Sequence, residues 1–263
     1  MRISCIQMNM KLANVDYNFA HAQNLIREAV ANEQPDVVVL PETWNIGFFP
    51  KDNLTALCDN NGERTKQELG SLAKELNINI VAGSVGNRRE NKIYNTAFVF
   101  DREGLCIAEY DKIHLFTPLG EHNYFSWGNH ISTFKLDGVI CGIVICYDIR
   151  FPELARTLAL QGTDVVFAVA QWPSVRITHI NVLAEARAIE NQMFFAFTNS
   201  CGTAGEIKYG GNSALINPWG KVLVRAGLQE EIITAELDLS IIADIRSSIN
   251  VFRDRQPTTY KLD

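Results

Sequence analysis

Residues 139–153 read VICGIVICYDIRFPE. Val139 to Ile145 is an unbroken apolar run rich in β-branched side chains, the pattern of a strand buried on both faces. The run stops at Cys146, and Tyr147, Asp148 and Arg150 follow at once. Pro152 then stands where a first helical turn begins and its missing N–H costs nothing. Glu153 after it suits the positive end of the helix dipole. The stretch predicts a buried strand, a sharp turn and a helix, with one cysteine at the turn. Folds of α/β type place reacting atoms at such turns.

Strands and helices alternate on both sides of this stretch. Ile3 to Met8 reads as a strand, and Val15, Phe19, Ala22, Leu25, Ile26, Ala29 and Val30 give helical spacing within 14–33. Val37 to Leu40 is a short apolar strand, which completes a β-α-β unit with parallel strands. Arg64 to Leu76 repeats the helical spacing. Strands are expected at Ile78 to Val85, Tyr94 to Phe100 and Leu105 to Tyr110, with a polar turn at Asn87 to Asn91. Beyond the central stretch come a helix over 153–160, a strand over 163–170, a helix over 176–191 and a strand over 194–198. Cys201 to Gly211 is glycine-rich and expected to be mobile. Asn217-Pro218-Trp219-Gly220 is a hairpin signal, and Ile232 to Leu237 is a last strand. The tail to Asp263 is polar and expected to pack on a neighbour. With no linker or repeat, residues 1–263 read as one domain. Helices on both outer faces of two sheets would explain the alternation and the all-apolar strands.

Bulk composition narrows the function. The net charge is −6 with no basic stripe, so nucleic acid is not an expected partner. No apolar run approaches a membrane span, and the start MRISCIQMNM lacks a signal-peptide pattern. The six cysteines form no CxxC pair, which suits a reduced, cytoplasmic protein.

Three polar residues stand at strand ends: Glu42 after VVVLP, Lys112 after EYD and Cys146. A carboxylate there could take the proton of a cysteine whose free pKa is about 8.5. A lysine could hold a carbonyl oxygen as it becomes negative, with the Tyr147 N–H as a second donor. Taken singly, each has a plainer reading. A cysteine in an apolar run is ordinarily a core thiol, as Cys5, Cys106 and Cys141 are read here. A charged residue at a strand end is ordinarily solvated.

The words VVVLPE, EYDKIHLF and ICYDIRFPELAR, with IVAGSV, YNTAFVF, ARAIENQ and GNSALINPWG, resemble the carbon–nitrogen hydrolases of the nitrilase superfamily over nearly the whole chain. That resemblance implies a four-layer αββα sandwich and a Glu42-Lys112-Cys146 triad. It also implies a second glutamate, Glu121 in PLGEHNYF, which orients Lys112 or assists proton transfer. CYDIRFPE and the QWP word at Gln171 to Pro173 are similar to the ω-amidase-like branch, which deamidates 2-oxo acid amides such as 2-oxoglutaramate. Other chemistries of the superfamily, on N-carbamoyl amines or nitriles, remain open, as does a non-catalytic scaffold. Arg150 either grips a substrate carboxylate with two parallel hydrogen bonds or braces Asp148 or Glu153. Trp172 either walls the pocket or packs in the core. His114, His122 and His179 lack metal-ligand spacing, so no metal and no organic cofactor is expected. Family resemblance further implies a homodimer or a dimer of dimers.

Overall fold

The structure, a computed structural model, describes residues 1–48 and 50–260. Along the two main sheet orders, six strands precede residue 138 and six follow it. They are β1 (Arg2–Gln7), β2 (Val37–Val39), β3 (Asn79–Arg89), β4 (Lys92–Phe100), β5 (Cys106–Asp111), β6 (Thr133–Leu136), β7 (Val139–Ile145), β8 (Val165–Ala170), β9 (Phe194–Asn199), β10 (Ala214–Ile216), β11 (Val222–Arg225) and β12 (Glu231–Glu236). The longer helices are α1 (Val15–Glu33), α2 (Glu63–Leu76), α3 (Pro152–Leu160), α4 (Ile177–Asn191) and α5 (Ile241–Ser248). α1 begins after Asn14, whose side chain accepts the Tyr17 N–H at 3.2 Å.

One sheet runs β12-β1-β2-β3-β4-β5 and the other β11-β10-β9-β8-β7-β6. β1, β2 and β3 are parallel, as are β7, β8 and β9. The other pairings within these two orders are antiparallel.

Alternation of side chains separates the layers. Val37 and Val39 join Ile143, Ile145, Val165, Phe167 and Val169 in a core between the two sheets. Val38 points the other way, into a core with Phe19, Ile26, Leu69 and Leu72 of α1 and α2. Val166 and Ala168 likewise face Leu158, Ile180 and Ala184 of α3 and α4. The order is helix, sheet, sheet, helix: the expected αββα sandwich. Each fully buried valine, isoleucine or phenylalanine contributes about 1.5–3 kcal/mol, so strands apolar on both faces hold two layers at once.

Several local expectations change. β3 continues through the polar residues read as a turn, and only Glu90 and Asn91 remain outside the paired strands. Asn87 is fully buried there. Its side chain accepts the Gly62 N–H at 2.9 Å and donates to Thr96 Oγ1 at 3.2 Å, so polarity marks a bridge and not a loop. β6 and α5 were not anticipated from the sequence. β6 is a four-residue edge strand, too short for its alternation to stand out. α5 lies in the tail expected to reach a neighbour. It buries Ile242 and Ile245 in its own chain, and Arg246 meets Asp164 at 3.1 Å. Residues 261–263 of that tail lie outside the described residues. The glycine-rich segment carries a small hairpin, Thr203–Ala204 with Ile207–Lys208.

Candidate active site

Glu42 follows β2 in a turn pinned to β3. The Thr43 N–H donates to Ser84 Oγ at 2.9 Å, and Trp44 Nε1 donates to the Ala82 carbonyl at 2.7 Å. Gly83 makes this approach feasible. It has φ +59° at an irregularity in β3, and a Cβ there would collide with the Pro41 carbonyl. Lys112 follows β5. Because β5 and β3 both run antiparallel to β4, Lys112 emerges on the same edge as Glu42. Cys146 follows β7 and therefore belongs to the other sheet. The three residues do not share one sheet edge. They meet across the seam between two sheets, where the Glu42 N–H donates to the Ala170 carbonyl at 3.5 Å.

Lys112 is the hub. Its Nζ donates to Glu42 Oε1 at 2.8 Å and lies 2.9 Å from both oxygens of Glu121. Glu42, Lys112 and Glu121 are all buried, at 3%, 2% and 4% exposure, so this charge cluster is shielded from water. Burial opposes the charge on Lys112, but the carboxylates of Glu121 and Glu42 outweigh it and hold the pKa well above the ordinary value. Asn95 donates to Glu42 Oε1 at 2.8 Å and reaches Glu121 Oε1 at 3.4 Å. The Gln171 N–H donates to Glu42 Oε2 at 2.8 Å, and the Phe116 N–H donates to Glu121 Oε2 at 2.5 Å.

Cys146 opens a single turn of 3-10 helix, Cys146–Arg150, before α3. Its φ is +48°, a left-handed conformation that costs a residue with a side chain of order 1–3 kcal/mol. Asp148 holds the turn in place. It is buried, its Oδ2 accepts from the Ile145 N–H at 2.9 Å and from the Tyr110 hydroxyl at 2.7 Å, and its Oδ1 accepts from the His114 N–H at 2.9 Å. Burial and the nearby Glu42 carboxylate push the Cys146 pKa well above its ordinary value; Lys112 pulls the other way and loses. Two carboxylates face one ammonium here, so the resting sulfur keeps its proton. Tyr147 follows in the first turn, whose N–H groups have no helical partner.

Cys146, Glu42, Lys112 and Glu121 border one small cavity, together with Tyr147, Arg150 and Trp172. Trp172 is 3% exposed and packs in the outer core as well. Arg150 braces neither Asp148 nor Glu153. Its guanidinium lies 4.8 Å from the Trp172 ring and its Nη2 is 3.2 Å from His179 Nδ1. No carboxylate pairs with it among the described residues.

A family model described as carbon–nitrogen hydrolase matches residues 2–247. The chain belongs to the carbon–nitrogen hydrolase family. Among relatives of this hydrolase, the 2-oxoglutaramate amidase of Bacillus subtilis (strain 168) is 41% identical over 258 residues, covering 98% of each chain. An omega-amidase of Homo sapiens is 35% identical, over 100% of this chain and 97% of its own. In structure the hydrolase is similar to Saccharomyces cerevisiae Nit3, a member of branch 10 of the nitrilase superfamily. The TM-score is 0.90 at 28% identity, over 97% of this chain and 96% of that one.

Sequence reading missed Asn95, Arg176 and Tyr209 as neighbours of the site. Asn95 left a signal, since it is a lone amide inside the apolar strand YNTAFVF. Arg176, three residues after the QWP word, and Tyr209, two residues before GNSALINPWG, stand just outside those words and left none. Arg176 borders the cavity, stacks 5.1 Å from the Phe116 ring and, like Arg150, pairs with no carboxylate among the described residues.

Proposed function

We propose that this hydrolase deaminates a small amide that also carries a carboxylate, through a thioester on Cys146. The reading rests above all on the buried Glu42-Lys112-Glu121 cluster beside Cys146, in a cavity that also holds Arg150, which pairs with no carboxylate among the described residues. Cys146 Sγ attacks the amide carbon as its proton passes to Glu42. Lys112 and the Tyr147 N–H hold the oxyanion, and Glu121 keeps Lys112 aimed. The C–N bond breaks, Glu42 returns the proton to nitrogen, and ammonia leaves. Glu42 then takes a proton from water, whose oxygen attacks the thioester, and passes it to the sulfur as the C–S bond breaks and the acid is released. A thiol that rests protonated suits this sequence, because proton loss then accompanies attack. Arg150 grips the substrate carboxylate and Trp172 walls its path. The names of the relatives support an ω-amide of a 2-oxo acid, 2-oxoglutaramate being the case in point.

The test is ammonia release from 2-oxoglutaramate, a neutral amide, an N-carbamoyl amine and a nitrile. We expect the first to be preferred, and Cys146→Ala to abolish release while keeping the thermal midpoint. Turnover by Cys146→Ala would sink the mechanism. Preference for a carbamoyl compound or a nitrile would sink the substrate class.

We further read residues 1–263 as one catalytic domain that pairs into a homodimer or dimer of dimers through α4. Val182, Ile189 and Trp219 are 62%, 51% and 54% exposed, and Val182 and Ile189 lie two turns apart on α4. Light scattering that shows only monomer at micromolar concentration would refute the pairing. A cytoplasmic location fits six unpaired cysteines and the lack of any helix, among the described residues, long and apolar enough to cross a membrane.

A further inference from the structure

Two polar atoms at the cavity are buried and bonded to nothing among the described residues: Gln171 Oε1 and the Tyr209 hydroxyl. Buried polar groups are nearly always paired, so each calls for a partner. Gln171 is tied to the reacting end. Its Nε2 donates to the Glu42 carbonyl at 2.7 Å and to Thr43 Oγ1 at 3.1 Å, which fixes the orientation of its amide. Its free oxygen is an acceptor suited to the N–H groups of the substrate amide.

Tyr209 is different in kind. It is 2% exposed, and its backbone is fastened on both sides. The Tyr209 N–H donates to the Gly202 carbonyl at 2.9 Å, the Gly210 N–H donates to the Trp172 carbonyl at 2.9 Å, and Tyr209 bridges to Pro173. A Cβ on Gly210 would press on Ile177 at 2.7 Å, so the loop lies hard against α4. The hydroxyl is thus a fixed donor. Burial and the nearby Glu42 and Cys146 keep it protonated. The guanidiniums of Arg150 and Arg176, which are donors too, line the same cavity. A substrate that satisfies this wall carries a carboxylate and, beside it, one more oxygen acceptor.

We propose that Tyr209 reads the 2-oxo oxygen of the substrate, and so separates 2-oxo acid amides from amino-acid amides of the same length. The proposal rests on the carboxylate–amide reading above. A carbonyl next to the carboxylate accepts the phenol's hydrogen bond. A methylene there leaves the phenol unpaired. An ammonium there offers no acceptor and is repelled by two guanidiniums.

The test compares kcat/KM for 2-oxoglutaramate, glutaramate and glutamine, in wild type and Tyr209→Phe. Wild type should favour the 2-oxo amide over glutaramate by on the order of 10–10³-fold. Tyr209→Phe should bring that ratio to within about threefold, chiefly through loss on the 2-oxo amide. Binding gives a readout free of turnover. In Cys146→Ala, 2-oxoglutarate should bind more tightly than glutarate by calorimetry, and adding Tyr209→Phe should equalise the two. A ratio unchanged by Tyr209→Phe, or equal loss on both amides, overturns the assignment, because the phenol is then only packing. If the wild type prefers neutral amides or no carboxylate-bearing amide is hydrolysed, the substrate reading itself falls, and this inference with it.

Discussion

Tyr110 donates its hydroxyl to Asp148 Oδ2 at 2.7 Å, and that bond joins the strand leading to Lys112 to the turn carrying Cys146. Neither residue borders the cavity. Their bond ties the turn that carries Cys146 to the strand that leads to Lys112 across the seam of the two sheets. Tyr110→Phe should lower stability by about 1–2 kcal/mol, since Asp148 keeps its other partners. It should also lower kcat/KM by about tenfold, because small displacements of reacting groups are costly. Urea unfolding and ammonia release measure the two effects. Full activity at reduced stability would show that the bond braces the fold without positioning the site.

Lys112 is the only cation hydrogen-bonded to Glu42 or Glu121 among the described residues. Lys112→Met should therefore destabilise the fold by about 3–5 kcal/mol, as removal of one partner does in buried ion pairs. Adding Glu121→Gln should recover part of that loss, because one stranded carboxylate disappears. Both variants should be inactive. Recovery of activity in the double variant would contradict the role given to Lys112.

Alkaline pH should weaken the fold through its buried thiols. Burial pushes Cys5 and Cys141 from 9.0 up to about 12. The folded chain keeps these protons after the unfolded chain has lost them. Their contribution is therefore whole below pH 9 and shrinks as pH rises toward 12, by up to about 1.4 kcal/mol per pH unit for each thiol. Unfolding of wild type and of Cys5→Ala/Cys141→Ala, followed from pH about 8 to about 10, isolates this slope from other titrations. Parallel pH dependences in the two proteins would refute it.

Arg150 should discriminate between substrates and not merely support the turn. Arg150→Lys keeps the charge but loses the planar fork, so kcat/KM for an acidic amide should fall, and Arg150→Ala should do more. Loss of a charged partner typically costs about 2–5 kcal/mol, or tens- to thousands-fold. A neutral amide of similar length should be affected far less. Equal losses on both amides would make Arg150 a structural brace.

The chain's local chemistry determined a good deal by itself. Val139 to Ile145 fitted a strand buried on both faces, which it is from Cys141 onward, and Pro152 suited the helix start it occupies. The helical spacing at Val15, Phe19, Ala22 and Ile26 became α1, and the words around Glu42, Lys112 and Cys146 marked the site. These features are legible because burial period, proline geometry and charge placement act within a few residues. Tertiary structure alone decided the rest. Glu42 and Lys112 come from one sheet and Cys146 from the other, because the inner faces Val37, Val39, Ile143 and Val169 close on one another. Arg150 turned toward Trp172 and away from Asp148, because Asp148 was already filled by Tyr110, Ile145 and His114. Asn95 and Tyr209 reached the site through strand register and a loop fastened to α4, and neither is set by nearest neighbours in the chain. Side-chain periodicity chooses which face is buried, but only the packing of two sheets chooses what that face meets.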